Sequence, residues 1–173
     1  KCFRNNWDMM QYNTKVNTIV EVIRREGRLL PDILALVEVE SPKVIEHLAD
    51  ELGYEHFYIT DGQDARGINV GILVNVNSEV TVVSYEEIIL NTSRLKKATR
   101  NILEVTLKVG NDFLKLYINH WPSQNNPTSD RIFAAETVRK RVIENNKKGY
   151  HSVVLGDLNV KASESPNPID NIL

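Results

Sequence analysis

The chain has 173 residues, 42% of them apolar and 25% charged, and a formal net charge of −2. That is the composition of one globular domain with a real core, and it excludes a strongly basic nucleic-acid footprint over the whole chain, while leaving room for a local patch. Cys2 is the single cysteine, so no intramolecular disulfide can form and the redox compartment stays open.

The first thirteen residues are polar with aromatic punctuation and read as a loop. Val16, Ile19, Val20 and Ile23 recur at helical spacing, so residues 14–26 read as an amphipathic helix stopped by Gly27. Pro31-Asp32 leads into a strand at 33–37, apolar on both faces as in a covered sheet. Ser41-Pro42 places a capping residue before a proline at the first helical position. Val44, Ile45, Leu48, Ala49 and Leu52 supply the core face of that helix, which Gly53 ends. A strand at 54–60 precedes a turn-rich loop at 61–67. Strands follow at 68–75 and 79–85, joined by Asn75-Val76-Asn77-Ser78. Residues 86–100 read as an exposed excursion carrying Arg94, Lys96, Lys97 and Arg100. Strands at 101–109 and 112–119 form a hairpin across Gly110-Asn111. A Pro, Ser and Asn-rich loop at 121–129 leads to a helix at 129–146, with Ile132, Ala135, Val138 and Val142 inward. A strand at 152–156 is followed by loop to the end. Strands interleaved with helices and hairpins indicate a layered α/β domain with mixed sheets. No run of apolar residues has the length of a membrane span. No signal peptide is visible, and the chain begins without an initiator Met, as though an upstream leader had been removed.

Chemistry-bearing side chains concentrate at strand ends. The run Val153-Val154-Leu155 ends in Gly156-Asp157-Leu158-Asn159, which delivers a carboxylate and an amide to one short turn. Such a pair suits a phosphate, an attacking water or a hard metal ion; the competing reading is a plain turn. Glu38 follows five apolar residues, where it can hold a divalent cation or pair with Lys43 as a solvated strand end; Glu40 is a second candidate. His120 ends a hairpin strand between Asn119 and Trp121, and its imidazole can donate to a phosphate oxygen or act as an acid. Pro122-Ser123 turns the chain beyond it and presents a hydroxyl. Arg66 can bind phosphate or serve as a solvated turn residue. His47, His56 and His151 read as structural. Three strands ending in Glu, His and Asp/Asn suggest one site at one edge of a sheet.

Taken in order, four segments resemble the endonuclease/exonuclease/phosphatase superfamily, the fold of pancreatic-type deoxyribonuclease and exonuclease III-like repair enzymes. Pro31 to Glu40 resembles the strand ending in the family's metal-binding glutamate. Arg66-Gly67-Ile68-Asn69-Val70-Gly71-Ile72-Leu73-Val74 resembles a second family strand. Asn119-His120-Trp121-Pro122-Ser123 is similar to the central His motif, and Gly156-Asp157-Leu158-Asn159 to the signature Gly-Asp-x-Asn. The resemblance implies a four-layer α/β/β/α sandwich with two mixed β-sheets. It implies metal-dependent phosphoester hydrolysis, usually with Mg²⁺, with Mn²⁺ or Ca²⁺ as alternatives. In that reading Glu38 ligates the metal, and Asp157 orients the attacking water or assists the leaving oxygen. Asn159 hydrogen-bonds the phosphate and His120 contacts the phosphate or leaving group. Ser123, Arg66 and Asn119 are the substrate-binding candidates. The substrate would be nucleic acid or a small phosphate ester, and no obligate protein partner is implied.

Two departures from the family pattern set further expectations. The family's N-terminal strand ending in Asn has no counterpart here, although Asn5, Asn6 and Asn13 are present. Its closing Ser-Asp-His segment is also missing. The resemblance therefore implies one domain, residues 1–173, truncated at both ends, with an incomplete general-base set and unpaired sheet edges. Two rivals to a phosphodiesterase or nuclease stay open. One is a phosphatase for a small sugar or lipid phosphate; the other is a binding or scaffold module that has lost its chemistry. The Arg94–Arg100 cluster can serve either as a backbone-binding loop or as ordinary surface charge.

Overall fold

The computed structural model describes residues 8–25, 29–75, 79–90 and 92–173. Helix α1 spans Met9–Arg24, starting well before the position that periodicity alone suggests. The reason is a capping box: Asp8 Oδ1 accepts from the Gln11 amide at 2.8 Å, and Gln11 Oε1 accepts from the Asp8 amide at 3.1 Å. These reciprocal bonds satisfy two otherwise orphaned donors and extend the helix through residues that read as loop. Gly27 and the 76–78 turn lie outside the described residues.

Strand β1 is Ile33–Val39, helix α2 is Pro42–Leu52, β2 is His56–Ile59 and β3 is Asn69–Val74. Strand β2 is shorter than expected because Gly53 and Tyr54 both donate to the Ala49 carbonyl, finishing α2, and the Tyr54 hydroxyl donates to the Pro31 carbonyl at 2.6 Å. Strand β4 is Val80–Ile88, β5 is Ile102–Val109, β6 is Asp112–His120, helix α3 is Thr128–Asn146 and β7 is His151–Asp157.

The strands form two sheets, ordered β1-β3-β2 and β4-β5-β6-β7. The larger sheet is mixed, since β6 and β7 are parallel; both pairings in the smaller one are antiparallel. Alternation along each strand divides the side chains between two layers. Ile33, Ala35, Val70, Ile72 and Val74 of the first sheet face Leu103, Val105, Leu107, Leu116 and Ile118 of the second, making the central core. Leu34, Leu36 and Leu73 point the other way, onto Val16 and Val20 of α1 and Ile45, Leu48 and Leu52 of α2. On the far side, Ile102, Tyr117 and Trp121 pack beneath Ala134, Ala135 and Val138 of α3. The result is the α/β/β/α sandwich, held by three apolar layers whose burial is the main driving term. Gly71 lets α2 approach β3: a Cβ there would stand 2.6 Å from Ile45 Cδ1. Tyr58 of β2 stacks on Tyr85 of β4 across the two sheets, with centroids 4.6 Å apart.

The 86–100 segment is not the exposed excursion that its charges suggest. Residues 86–88 continue β4, Leu90 and Leu95 enter the core beneath α3, and Thr99, Arg100 and Asn101 are buried. Only Arg94, Lys96 and Lys97 of the cluster lie on the surface. Among the described residues, no helix is long and apolar enough to cross a membrane.

Strand β7 runs beside β6 with His120 opposite Asp157 and Asn119 opposite Gly156. Gly156 has φ +117°, and a Cβ there would lie 2.0 Å from the Asn119 carbonyl oxygen. No side chain fits, so only glycine permits this pairing to reach the strand end. Gly156→Ala is expected to cost about 2 kcal/mol or more, from backbone strain plus overpacking; urea unfolding of the two proteins reads this directly.

Candidate active site

Glu38, His120 and Asp157 each stand at the carboxyl end of a strand, but the strands belong to different sheets. Glu38 comes from β1 of the smaller sheet, and His120 and Asp157 come from β6 and β7 of the larger one. The three groups therefore meet between the ends of two sheets, not along one edge of one sheet. Periodicity within a strand carries no information about which sheet it joins, which is why the simpler arrangement looked sufficient.

Local backbone geometry aims two of these groups. The β1–β3 register slips between Leu36 and Val39, and Glu38 sits in this bulge with φ +61°. A non-glycine residue in the left-handed region is strained and persists only where surrounding structure enforces it. The bulge turns the Glu38 carboxylate out of the sheet, 64% exposed, with Oε1 4.0 Å from His120 Nε2. Asn159 is likewise left-handed, at φ +51°. Its amide N–H donates to Asp157 Oδ1 at 2.9 Å, closing an Asx-type turn. Its Nδ2 donates to the Trp121 carbonyl at 3.0 Å. Asp157 Oδ2 then lies 3.9 Å from His120 Nε2.

His120 Nε2 thus stands almost equidistant between two carboxylates, too far from either for a hydrogen bond. The ring is 5% exposed, and its buried Nδ1 has no hydrogen-bond partner. Burial, then the Arg100 charge, depress its basicity; Asp157 and Glu38 oppose them, and the net shift is downward. At neutral pH the ring is therefore the neutral imidazole, with Nε2 towards the two acids and the buried Nδ1 unpartnered.

The other candidates are placed as follows. Asn119 is fully buried; its Nδ2 donates to the Tyr117 carbonyl at 2.7 Å, and its Oδ1 accepts from Trp121 Nε1 at 2.8 Å. It braces the loop beneath His120 and does not face the site. The Ser123 hydroxyl accepts from Asn126 Nδ2 at 3.3 Å, in the loop beyond His120. Arg66 is 56% exposed and grips Asp64 through Nε and Nη2. Its charge also makes a minor contribution to lowering the His120 pKa. Of the histidines read as structural, His47 bonds the Tyr12 hydroxyl at 2.9 Å, tying α1 to α2, while His56 and His151 lie exposed.

Sequence reasoning missed the charged groups that hold the loops. Arg100, 5% exposed, donates Nη1 to Asp64 at 3.0 Å and Nη2 to the Trp121 carbonyl at 2.9 Å. Arg131, 2% exposed, donates to the Pro122, Ser123 and Asn126 carbonyls and pairs with Glu164 through Nε and Nη2. Gln124 bonds both the Asn159 carbonyl and Glu164. A usable signal existed for Arg131. It lies four residues before Ala135 and seven before Val138, on the core face of α3. Nothing local marks Asp64 or Arg100.

Among the described residues, no three His, Cys, Asp or Glu side chains cluster as a ready metal cage. Two exposed carboxylates that meet at His120 nevertheless fit a hard cation that keeps most of its water and takes only one or two protein oxygens.

A family model, the Endonuclease/Exonuclease/phosphatase family, matches residues 2–168. The chain belongs to this family. Solved structures share its architecture at low identity. Humanized D. rerio TDP2 is 18% identical with a TM-score of 0.71, over 92% of this chain and 64% of that one. D. rerio TDP2 complexed with a single-strand DNA product is 18% identical with a TM-score of 0.70, over 97% and 60%. ANGEL2, a 2',3'-cyclic phosphatase, in complex with adenosine-2',3'-vanadate, is 16% identical with a TM-score of 0.70, over 85% and 44%. The chain therefore spans between under half and about two thirds of those chains' length. No curated protein matches it.

The Arg131–Glu164 pair also predicts an acid response. The Arg131 guanidinium lowers the Glu164 pKa from 4.5 to about 2 against the opposing effect of burial. A depressed carboxylate contributes stability above its unfolded value, and that contribution fades as pH falls from about 4.5 towards 2. Thermal melts from pH 6 to pH 2.5 are expected to show this loss, and Glu164→Gln should flatten it while lowering stability at pH 7 by about 3 kcal/mol, the typical cost of breaking a buried pair.

Proposed function

We propose that this chain carries the core of a divalent-metal-dependent phosphoester hydrolase, acting on phosphodiesters of nucleic acids or nucleotides by attack of water on phosphorus. The observation that carries this reading is the convergence of Glu38, His120 and Asp157 from two sheets, with both exposed carboxylates about 4 Å from the same ring nitrogen. A buried ion pair would have closed these distances. Both carboxylates are more than half exposed, so a phosphoryl group and its water would be met at the solvent side of the three groups.

Each residue has a distinct task. The exposed Glu38 carboxylate would hold a divalent cation, which supplies charge neutralisation at the phosphoryl oxygens and a more acidic water. Asp157 Oδ2 would accept a hydrogen bond from the attacking water and set its line of approach. The Asn159 amide, fixed through its backbone N–H and Nδ2, would donate its remaining N–H to a non-bridging phosphate oxygen. Such a preorganised donor stabilises the charge that builds at pentavalent phosphorus. Neutral His120 would donate from Nε2 to a phosphoryl or leaving oxygen in the tautomer that protonates that nitrogen. Arg66 would meet a phosphate of the substrate, and Ser123 lies on the loop beyond. That one family relative was solved with a single-strand DNA product and another with an adenosine-2',3'-vanadate supports the nucleotide class.

The test uses the protein with Mg²⁺ or Mn²⁺ on plasmid DNA, single-stranded oligonucleotides, RNA and small phosphate monoesters. Cleavage of one of the diesters is expected, with removal of metal by EDTA abolishing it. Glu38→Gln and Asp157→Asn should each reduce kcat by at least about 100-fold, and Asn159→Ala by about 100- to 1000-fold. Full activity in all three variants would dismiss this assignment, and turnover of monoesters alone would transfer the site to the phosphatases.

A further inference from the structure

Asp64 lies in the turn-rich loop between β2 and β3, and its carboxylate is 8% exposed. Its Oδ1 accepts from the Arg66 amide at 2.9 Å and from Arg66 Nε at 3.1 Å. Its Oδ2 accepts from Arg66 Nη2 at 3.0 Å and from Arg100 Nη1 at 3.0 Å. A carboxylate offers about four acceptor positions, and here all four are filled. Asp64 therefore has no lone pair left for a cation, a water or a proton, and its place beside the site has a different use.

The two arginines lead in different directions. Buried Arg100 continues through Nη2 to the Trp121 carbonyl, the same oxygen that accepts from Asn159 Nδ2. Arg66 is 56% exposed and, among the described residues, uses only Nε and one Nη2 hydrogen on Asp64, while its charge contributes to the His120 electrostatics.

We infer that Asp64 is a positioning residue of the hydrolytic site: one carboxylate orients Arg66 towards a substrate phosphate and, through Arg100 and the Trp121 carbonyl, sets the Asn159 side-chain amide. A fork held at both nitrogens loses less freedom on meeting a phosphate than a free arginine does. The paired arrangement also supplies the buried Arg100 guanidinium with an acid, which arrives from a loop 36 residues earlier.

The kinetic arm of the test rests on the hydrolase reading; the spectroscopic arm does not. Asp64→Asn keeps the shape and removes the charge. Side-chain ¹⁵N–¹H spectra should then show the Arg66 Nε–H and the Asn159 amide signals both displaced. With bis(p-nitrophenyl) phosphate and Mn²⁺, kcat should fall at least fivefold and KM should rise at least threefold, with Asp64→Glu recovering part of each. Displaced Arg66 and Asn159 signals support the inference even if the wild-type protein turns over no diester, an outcome that sinks the hydrolase reading alone. Unmoved Asn159 signals in folded Asp64→Asn overturn it, as does a fall in melting temperature with kcat and KM unchanged. Should Asp64→Asn not fold, Arg66→Gln at the exposed end decides: a threefold or greater rise in KM supports the inference and an unchanged KM overturns it.

Discussion

The parallel pairing of β6 with β7 is the constraint on which the rest of the site depends. It runs to the last residue of each strand, so that His120 and Asp157 emerge side by side. It reaches that far because Gly156 presents no side chain to the Asn119 carbonyl. Buried Asn119, in turn, holds Trp121 through the indole nitrogen, and the Trp121 amide donates to the Asp157 carbonyl at 2.9 Å. The glycine, the asparagine and the tryptophan are scaffold, and their roles follow from a distance that no Cβ can satisfy.

Upon that scaffold the packing of two sheets adds the third group. Alternating apolar residues on β1 and β3 bury one face against β5 and β6, and this brings the end of β1 over the ends of β6 and β7. A bulge with a left-handed glutamate then turns Glu38 outwards. Strain of this kind costs of order 1–3 kcal/mol, and here it is held by the sheet on one side and by α2 on the other. The loops around the site are fixed differently. Two buried arginines, each matched to an acid from a distant loop, grip the backbone carbonyls that follow His120. Charge burial of this sort is costly, and at Arg100 it is incomplete, since the buried Nε has no hydrogen-bond partner; both arginines nevertheless hold the loop that follows His120.

Much of this was legible in the sequence. The strand-to-polar transitions at Glu38, His120 and Asp157 mark their positions because apolar runs end abruptly there. The four-layer sandwich followed from motif order, in agreement with the family that the chain belongs to. What stayed hidden depends on contacts distant along the chain. Asp64 and Arg100 look like surface charges until the β2–β3 loop folds over the start of β5. The division of the site between two sheets depends on strand order, which periodicity does not encode. The early start of α1 is a different kind of miss, because the Asp8-x-x-Gln11 capping pattern was present and apolar spacing outweighed it.

In the proposed function, carboxylates from two sheets would frame a cation-assisted phosphoryl site beside His120. Anomalous diffraction from crystals of the protein grown with Mn²⁺ tests it most directly. A manganese peak about 2.0–2.3 Å from a Glu38 carboxylate oxygen, on the side facing Asp157, is the predicted result. Saturating Mn²⁺ with no peak at Glu38, or with ordered metal only elsewhere on the surface, would contradict it.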